Sequence, residues 1–344
     1  MNVEIVNLKS NYEKKEVSSF LNQFHLNYDE TVDYSIVIRN NDDIVATASK
    51  TKNIIKCFAV DDSMRGEGLT NILVTNLLNK IFEEGMLHTF VFTKPSNIDI
   101  FKGVGFSLVS QTDKVALLEI GTTSIDKTID NIITKYNIDI NLEKAILIMN
   151  CNPFTLGHQY LIEKASKENH QVLVFIVEED KSSFPFIDRI DLVKKGTSHL
   201  KNVIVLPGTE YIISSATFPN YFLRKEDDSL IEYIKLDVTI TGEHFCKKLG
   251  ISKRYIGEEP YCKVTEKYNE IMLEILGKFG VDVVLVPRKE SDNMAISAST
   301  VRKYMREDNY DAIKKIVPPT TYEFLISEKG REIAEKIKSH NSAH

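Results

Sequence analysis

The stretch Ala145-Ile-Leu-Ile-Met-Asn-Cys-Asn-Pro-Phe-Thr-Leu-Gly-His158 decides the fold of most of this chain. Its first five residues form an unbroken apolar run, the pattern of a strand covered on both faces. A turn with Asn152, Pro153, Phe154 and Gly157 follows, and then Gln159-Tyr-Leu-Ile-Glu-Lys-Ala165, which reads as a helix. A strand, a tight turn and a histidine at a helix mouth suit an anion, because amides and the helix dipole favour negative charge there. Thr155 supplies a hydroxyl, Gly157 lets the backbone come close, and His158 can donate to a phosphate as charge develops on it.

Far along the chain, Ile296-Ser-Ala-Ser-Thr-Val-Arg302 opens a second helix with free hydroxyls. Ser297 and Ser299 can cap a helix beginning near Thr300. The same hydroxyls with Arg302 can clamp the outer phosphates of a triphosphate. Either motif alone is weak. Together they point to ATP, with attack on its α-phosphate and release of pyrophosphate.

Around these motifs strands and helices alternate. The strand readings are 145–149, 171–177, 202–206, 237–241 and 282–286, most of them rich in β-branched residues. Such alternation implies a doubly wound parallel sheet with ligands at the carboxyl ends of the strands. Beyond about residue 300 the chain reads as helical: Val301 to Met305, Tyr310 to Ile316, and Tyr322 to Lys338, broken by Pro318 and Pro319.

Residues 1–120 read differently, as an α+β module. Tyr34 to Arg39 and Ile44 to Ala48 flank Asn40-Asn-Asp-Asp43, a hairpin signal. Asn53 to Val60 is a further strand. Leu69, Ile72, Leu73, Leu77, Leu78, Ile81 and Phe82 recur at helical spacing. A strand near Thr89 to Phe92 follows, and Val115 to Ile120 closes the sheet. Residues 121–143 read as a linker, with Ser124 capping a helix from Asp126 to Ile138. The expected domains are thus 1–120, a linker over 121–143, and 144–344.

Bulk properties narrow the classes. An apolar content of 42% with 27% charged residues is that of a soluble globular protein. The balance of 43 basic against 49 acidic residues gives a charge of −6 and argues against a nucleic-acid surface. No run nears the ~20 apolar residues of a membrane span, and no signal peptide is visible, so a cytoplasmic protein is expected. Cys57, Cys151, Cys246 and Cys262 form no CxxC pair or zinc spacing and read as reduced thiols. Glu243-His-Phe-Cys246 is too small a ligand set for a metal and reads as a loop shaping the adenosine or acceptor pocket. Tyr261 and Tyr268 read as packing residues.

The pair of motifs resembles the nucleotidyltransferase superfamily, whose marks are (H/T)xGH and an ISSTxxR-like helix start. Here they read TLGH and ISASTVR. Phe184-Pro-Phe-Ile-Asp-Arg189 is similar to the segment before a phosphate-side helix in those enzymes, and Lys181 before it would be a mobile cation over the triphosphate. In the first module, Arg65-Gly-Glu-Gly68 resembles the pyrophosphate loop of the GNAT acetyltransferases, with Thr70 where that pattern has Gly or Ala. Asn97 and Gly103-Val-Gly-Phe106 resemble later GNAT motifs. Backbone amides at 66–70 would cradle a diphosphate. No general base for amine acetylation is evident, and Glu67 reads as solvated.

Both halves in this order resemble the citrate lyase ligase family. The resemblance covers nearly the whole chain and rests on NPFTLGH, Gly257-Glu-Glu-Pro-Tyr-Cys-Lys-Val-Thr-Glu-Lys-Tyr-Asn269, and Pro287-Arg-Lys-Glu with Ala295 to Arg302. It implies a GNAT-like α+β domain followed by a nucleotidyltransferase α/β domain with a helical tail. It also implies the reaction: ATP, with Mg²⁺, and acetate give acetyl-adenylate. The acetyl group then passes to the thiol of the CoA-like prosthetic group on the citrate lyase acyl carrier subunit. Catalysis would fall to His158, Thr155 and Arg302. ATP would be held by Asn152, Pro153, Phe154, Thr155, Gly157, His158, Lys181, Ser297, Ser299, Thr300 and Arg302. Arg65, Gly66, Gly68, Thr70 and Asn97 would hold the CoA-like arm, and no residue set would hold a metal of its own. Two other readings remain open: an adenylyltransferase making a dinucleotide cofactor, and a non-catalytic protein that binds an acyl carrier.

Overall fold

A computed structural model describes residues 2–64, 66–178, 182–212, 226–258, 263–288, 290–291 and 294–339. The chain divides into two compact units, Met1–Thr128 with Thr217–Thr239, and Ile129–Ala216 with Ile240–His344.

The first unit is built on a seven-stranded sheet of order β1-β2-β3-β4-β5-β7-β6. Its strands are β1 (Val3–Ile5), β2 (Tyr34–Asn40), β3 (Asp43–Thr51), β4 (Ile54–Val60), β5 (His88–Thr93), β6 (Ser107–Gln111) and β7 (Ala116–Gly121). The hairpin turn between β2 and β3 is as expected, with Asn41 in the left-handed region at φ 55°, a conformation Asn tolerates. Neighbours are antiparallel except β4 and β5, which run parallel and meet in only two register pairs, Ile54 with Phe90 and Ile55 with Val91. Beyond those pairs the strands part toward their carboxyl ends. Helices α2 (Leu69–Glu83) and α3 (Ile98–Gly103) cover one face, burying Leu73, Leu77 and Phe101 against Ile36, Ala46, Ile55 and Leu118. Helix α1 (Asn11–Gln23) packs on β3 and β4. The edge strands are β1 and β6; β7, expected to close the sheet, lies inside it. Helix α4 spans Ile125–Tyr136, against the expected Asp126 to Ile138, with the Lys127 amide donating to Ser124 Oγ at 3.3 Å.

The second unit holds a five-stranded, all-parallel sheet of order β10-β9-β8-β11-β12. The strands are β8 (Lys144–Met149), β9 (Gln171–Ile176), β10 (Val203–Pro207), β11 (Ile251–Gly257) and β12 (Asp282–Val286). The chain winds outward from β8 through β9 to β10, then returns beside β8 and winds the other way. The topological switch therefore lies between β8 and β11, where open α/β sheets bind ligands. Helices α5 (Leu156–Glu168) and α6 (Phe186–Gly196) join β8 to β9 to β10. They bury Ile162, Ala165, Ile190 and Val193 against Ala145, Leu147, Val172 and Val174. Right-handed crossovers put α9 (Lys263–Lys278), between β11 and β12, on the other face.

Two strand readings change. Residues 237–241 are not a strand: helix α7 (Glu226–Ile240) runs into a π-helix, Thr241–Cys246, and the short α8 (Lys247–Leu249). Ile234, Leu236, Val238 and Ile240 are all buried, so the helix is apolar on most sides and its short β-branched run mimics a strand. Thr239 Oγ1 donates to the Lys235 carbonyl one turn back, at 2.7 Å. The strand in that place is β11, Ile-Ser-Lys-Arg-Tyr-Ile-Gly, whose Lys253 and Arg254 hide it from a hydrophobic pattern search. The loop expected at Glu243 to Cys246 is the π-helix. Its Gly242 abuts the Phe279 ring ahead of β12, so it lies at the amino ends of the strands, away from the ligand edge.

After β12 come a small hairpin, β13 (Glu290–Ser291) and β14 (Met294–Ala295), and helices α10 (Ala298–Arg306), α11 (Tyr310–Ile316), α12 (Pro319–Ile326) and α13 (Glu328–Ser339). The tail is helical as expected, but Pro318 and Pro319 start α12 rather than only interrupting a helix. Val301, Met305, Ile313, Leu325 and Ile333 form its core, which Phe184 joins. No helix among the described residues is long and apolar enough to cross a membrane.

As the central strand beside β8, β11 should carry amides as slow to exchange as those of β8. Hydrogen–deuterium exchange should show Tyr255 and Ile256 protected to the same degree as Leu147 and Ile148. Fast exchange at Tyr255 would contradict this sheet order.

Candidate functional site

The turn after β8 is fixed by what its backbone can bond. The Asn152–Pro153 peptide is cis. Asn152 is 7% exposed; its Oδ1 accepts from the Phe184 amide at 3.0 Å and its carbonyl from Arg302 Nη1 at 2.5 Å. Phe154 is fully buried, with its ring against Gly196, where any Cβ would collide with it.

The larger constraint is Arg189, the final residue of the FPFIDR segment, which is fully buried. Its Nε donates to Phe184 O at 3.0 Å. Its Nη1 serves Asn150 O at 2.7 Å, Asn150 Oδ1 at 2.8 Å and Val177 O at 2.9 Å. The guanidinium thus ties together the exits of β8 and β9 and the entrance of α6.

Thr155 is the N-cap of α5 and forms a reciprocal box with His158. Thr155 Oγ1 accepts from the His158 amide at 3.3 Å, and the Thr155 amide donates to His158 Nδ1 at 3.1 Å. Because Nδ1 accepts an amide N–H, the neutral ring must carry its proton on Nε2. Burial, with the nearby Arg288 guanidinium, depresses the His158 pKa to about 4, so the ring is neutral at physiological pH. His158 is therefore a neutral donor through Nε2 at the mouth of α5, its ring nearly parallel to that of Phe154 at 12° with centroids 6.0 Å apart.

The two motifs meet. A Cβ on Gly157 would lie 3.0 Å from the Ile296 carbonyl, so the glycine admits the lead-in of α10 against the first turn of α5. There Ser297 caps α10, accepting from the Thr300 amide at 3.1 Å. The Ser297 hydroxyl lies 2.8 Å from those of both Ser299 and Thr300. Arg302 is 8% exposed, its pKa lowered by burial and then by Arg306, and it grips the Asn152 carbonyl. In this geometry it positions the turn rather than projecting toward solvent. Lys181 falls outside the described residues.

Sequence reasoning missed Arg288, which leaves β12 at the same edge. Its Nε donates to the Glu258 carbonyl at 2.8 Å, and burial lowers its pKa. The available signal was its place, two residues after the last strand of a doubly wound sheet. Asn150 and Arg189 were likewise not named as site residues.

In the first unit, Gly66 and Gly68 adopt left-handed φ of 92° and 72° with no atom within 4 Å of an added Cβ. This open loop follows β4 at the end where β4 and β5 part, and Gly68 caps α2, with Thr70 in its first turn. Asn97 donates to Thr93 Oγ1 at 3.0 Å; Arg65 is outside the described residues. Glu67 is exposed. The unit's buried His88, 2.9 Å from Glu119, sits at the opposite end of β5 and is no base for this cleft.

Residues 144–325 match the sequence model of the citrate lyase ligase C-terminal domain. The chain is 38% identical to the citrate (pro-3S)-lyase ligase of Haemophilus influenzae (strain ATCC 51907 / DSM 11121 / KW20 / Rd) over 316 residues, 90% of this chain and 94% of that protein. It is 35% identical to the corresponding ligase of Escherichia coli (strain K12), over 93% of this chain and 92% of that one. It is also similar in structure to an aminoglycoside 6'-N-acetyltransferase complexed with coenzyme A (11% identity, 36% of this chain, 98% of that one, TM-score 0.33). A putative nicotinate-nucleotide adenylyltransferase from Vibrio parahaemolyticus matches at 18% identity, 59% of this chain and 99% of that one, with a TM-score of 0.35. The chain belongs to the citrate lyase ligase family, a family of ligases.

The histidine's state gives a direct test. Its folded pKa, about 4, lies below the ordinary value near 6.5. The fold thus favours the neutral ring, and this contribution is complete above about pH 6.5 and lost as pH falls toward 4. NMR titration should place the His158 midpoint near 4, and no activity limb should appear near pH 6.5. A midpoint at 6.5 would refute the assigned neutral donor.

Proposed function

We propose that this protein activates citrate lyase by ATP-dependent acetylation of the prosthetic-group thiol on the acyl carrier subunit. The observation that carries the reading is the Thr155–His158 box at the mouth of α5, packed through Gly157 on the hydroxyl cluster of α10.

In the first step an acetate oxygen bonds to the α-phosphorus of ATP while the bond to the bridging oxygen breaks, and pyrophosphate leaves with the electron pair. His158 Nε2–H donates to the α-phosphate, where charge builds. Thr155 keeps the ring in the donating tautomer. The α10 entrance, with Ser297, Ser299 and Thr300, receives the departing phosphates, and Lys181 supplies a cation over them. Arg302 and Asn152 hold Pro153 and Phe154 in the shape that aims α5. Mg²⁺ enters on the triphosphate as part of the substrate and offsets its charge.

In the second step the carrier thiol attacks the acetyl carbonyl, the C–O bond to AMP breaks, and AMP leaves with the electron pair as the thiol releases its proton. Cys57, Cys151 and Cys246 are buried, and burial raises all three thiols. None of these three is an accessible nucleophile, which among the described residues fits a thiol brought by the partner; Cys262 lies outside the described residues. The parted ends of β4 and β5, beside the open Gly66 to Gly68 loop with Arg65, Thr70 and Asn97, suit the diphosphate and extended arm of a CoA-like group. Among the described residues no base is assigned at that cleft, which fits arm binding better than acetyl transfer to an amine. The reading places the protein in the cytoplasm, with ATP and the carrier subunit.

Acetate-dependent exchange of labelled pyrophosphate into ATP is the deciding measurement. The wild type should exchange with acetate alone, and His158→Ala should lower the rate by about 10²–10³-fold. Exchange that requires a mononucleotide or pantetheine phosphate instead would identify a cofactor adenylyltransferase. No exchange under either condition would identify a carrier-binding protein without catalysis. Separately, Gly68→Asp should raise the KM for the carrier by about tenfold or more through charge repulsion with the diphosphate, leaving the KM for ATP unchanged. An unaltered carrier KM would remove the first unit from arm binding.

A further inference from the structure

The site poses a charge problem that His158, Thr155 and α10 do not solve. A carboxylate anion must approach a phosphorus already surrounded by anionic oxygens, and the histidine there is neutral. Arg189 is wholly buried and spread over backbone and amide oxygens, and Arg302 is engaged with Asn152. A cation near His158 on other supports would be needed.

Arg288 has that placement. The exits of β11 and β12 are laced together: Gly257 registers with Val286, the Glu258 amide donates to Val286 O at 2.9 Å, and Arg288 Nε donates back to Glu258 O at 2.8 Å. These bonds anchor the guanidinium at the carboxyl edge of the sheet, on the far side of the β8–β11 switch from α6. It lies close enough to His158 to disfavour protonation of that ring. Two cationic groups would repel one another there. A neutral histidine and a permanent guanidinium instead converge as donors on one anion, and Arg presents a planar fork suited to phosphate oxygens.

We propose that Arg288 is a catalytic residue that binds the α-phosphate of ATP opposite His158 and stays on it through both steps. In adenylation it balances the charge that develops on the non-bridging oxygens as acetate bonds and pyrophosphate leaves. In thiolysis it stabilises the phosphate of departing AMP. This rests on the reading of His158 as the α-phosphate donor.

The test uses the full-length enzyme with Arg288→Gln and Arg288→Lys. In the unliganded enzyme Arg288→Gln should raise the NMR midpoint of His158 above about 4, while an unchanged midpoint would remove Arg288 from the ring's surroundings. AMP, which carries only the α-phosphate, and adenosine, which carries none, are the binding probes. Arg288→Gln should weaken AMP by about tenfold or more and leave adenosine unchanged, as expected for a lost charge-assisted contact. Equal losses for both would show a structural role and overturn the proposal. In the acetate-dependent exchange, kcat should fall about 10²–10³-fold in Arg288→Gln, with partial recovery in Arg288→Lys. A raised KM for acetate alone, or for ATP alone with kcat intact, would assign the cation to the carboxylate or the outer phosphates and overturn it too. If the wild type shows no acetate-dependent exchange, the functional reading fails, while the AMP-against-adenosine comparison still decides the α-phosphate contact.

Discussion

The second unit depends on one buried guanidinium. Arg189 reaches from α6 to the carbonyls at the ends of β8 and β9 and to the side chain of Asn150. Burying a guanidinium is costly unless its donors are met, and here oxygens surround it from three segments. Removing it would orphan several acceptors at once, so the ends of the strands and the start of the helix share one geometry. That geometry sets the departure of the loop from β8, and hence the direction of α5. The site is thus shaped first by backbone carbonyls that require a donor, and only then by the residues that meet the ligand.

A second constraint acts on the histidine. Its Nδ1 is spent on the Thr155 amide, so its chemistry is confined to Nε2. The box that caps the helix is therefore also the device that chooses the tautomer. The hydroxyl and amide of Thr155 both bond His158, beside the direct contact with phosphate that is the sequence-level expectation. Gly157 likewise has a structural part. Its missing Cβ makes room for the Ile296 carbonyl, so the glycine joins the two motifs that sequence alone had to treat as separate signals. Arg302 completes the pattern, bracing the Asn152 carbonyl from α10. Several residues expected from sequence to be ligand contacts also build the frame at the mouth of α5.

Much of the architecture was legible because its signals are local. Apolar runs marked β8, β9 and β12, helical spacing marked α2, and turn residues marked the β2–β3 hairpin. What failed was a competition between two neighbouring segments. Asp237 to Thr241 has the β-branched content of a strand but lies in a helix buried on most sides, while β11 carries Lys253 and Arg254 in a central strand. Tertiary packing decided both, and a short window has no access to it. The motifs TLGH and ISASTVR meet in the structure at Gly157 and Ile296, yet Arg288 and Arg189 could not be ranked among the other arginines by spacing. Their importance comes from strand order and from carbonyls far away in sequence.

On the proposed reading, a site built around phosphate also suits a carboxylate substrate. Whatever attacks the α-phosphorus, the same pyrophosphate leaves, and the strongest contacts can be made to atoms common to every such reaction. A small carboxylate offers little surface of its own for binding, so rate enhancement must come from interactions with the nucleotide and from charge balance at phosphorus. The partly buried, neutral histidine and the guanidinium at the exit of β12 would fit that demand better than a pair of charged imidazole and arginine groups. A protonated histidine would bind the ground-state triphosphate more tightly, deepening the well from which the reaction must climb. On the proposed reading, a neutral donor held rigidly by its cap contributes most as charge develops, and the box at the mouth of α5 would then favour the transition state over the substrate.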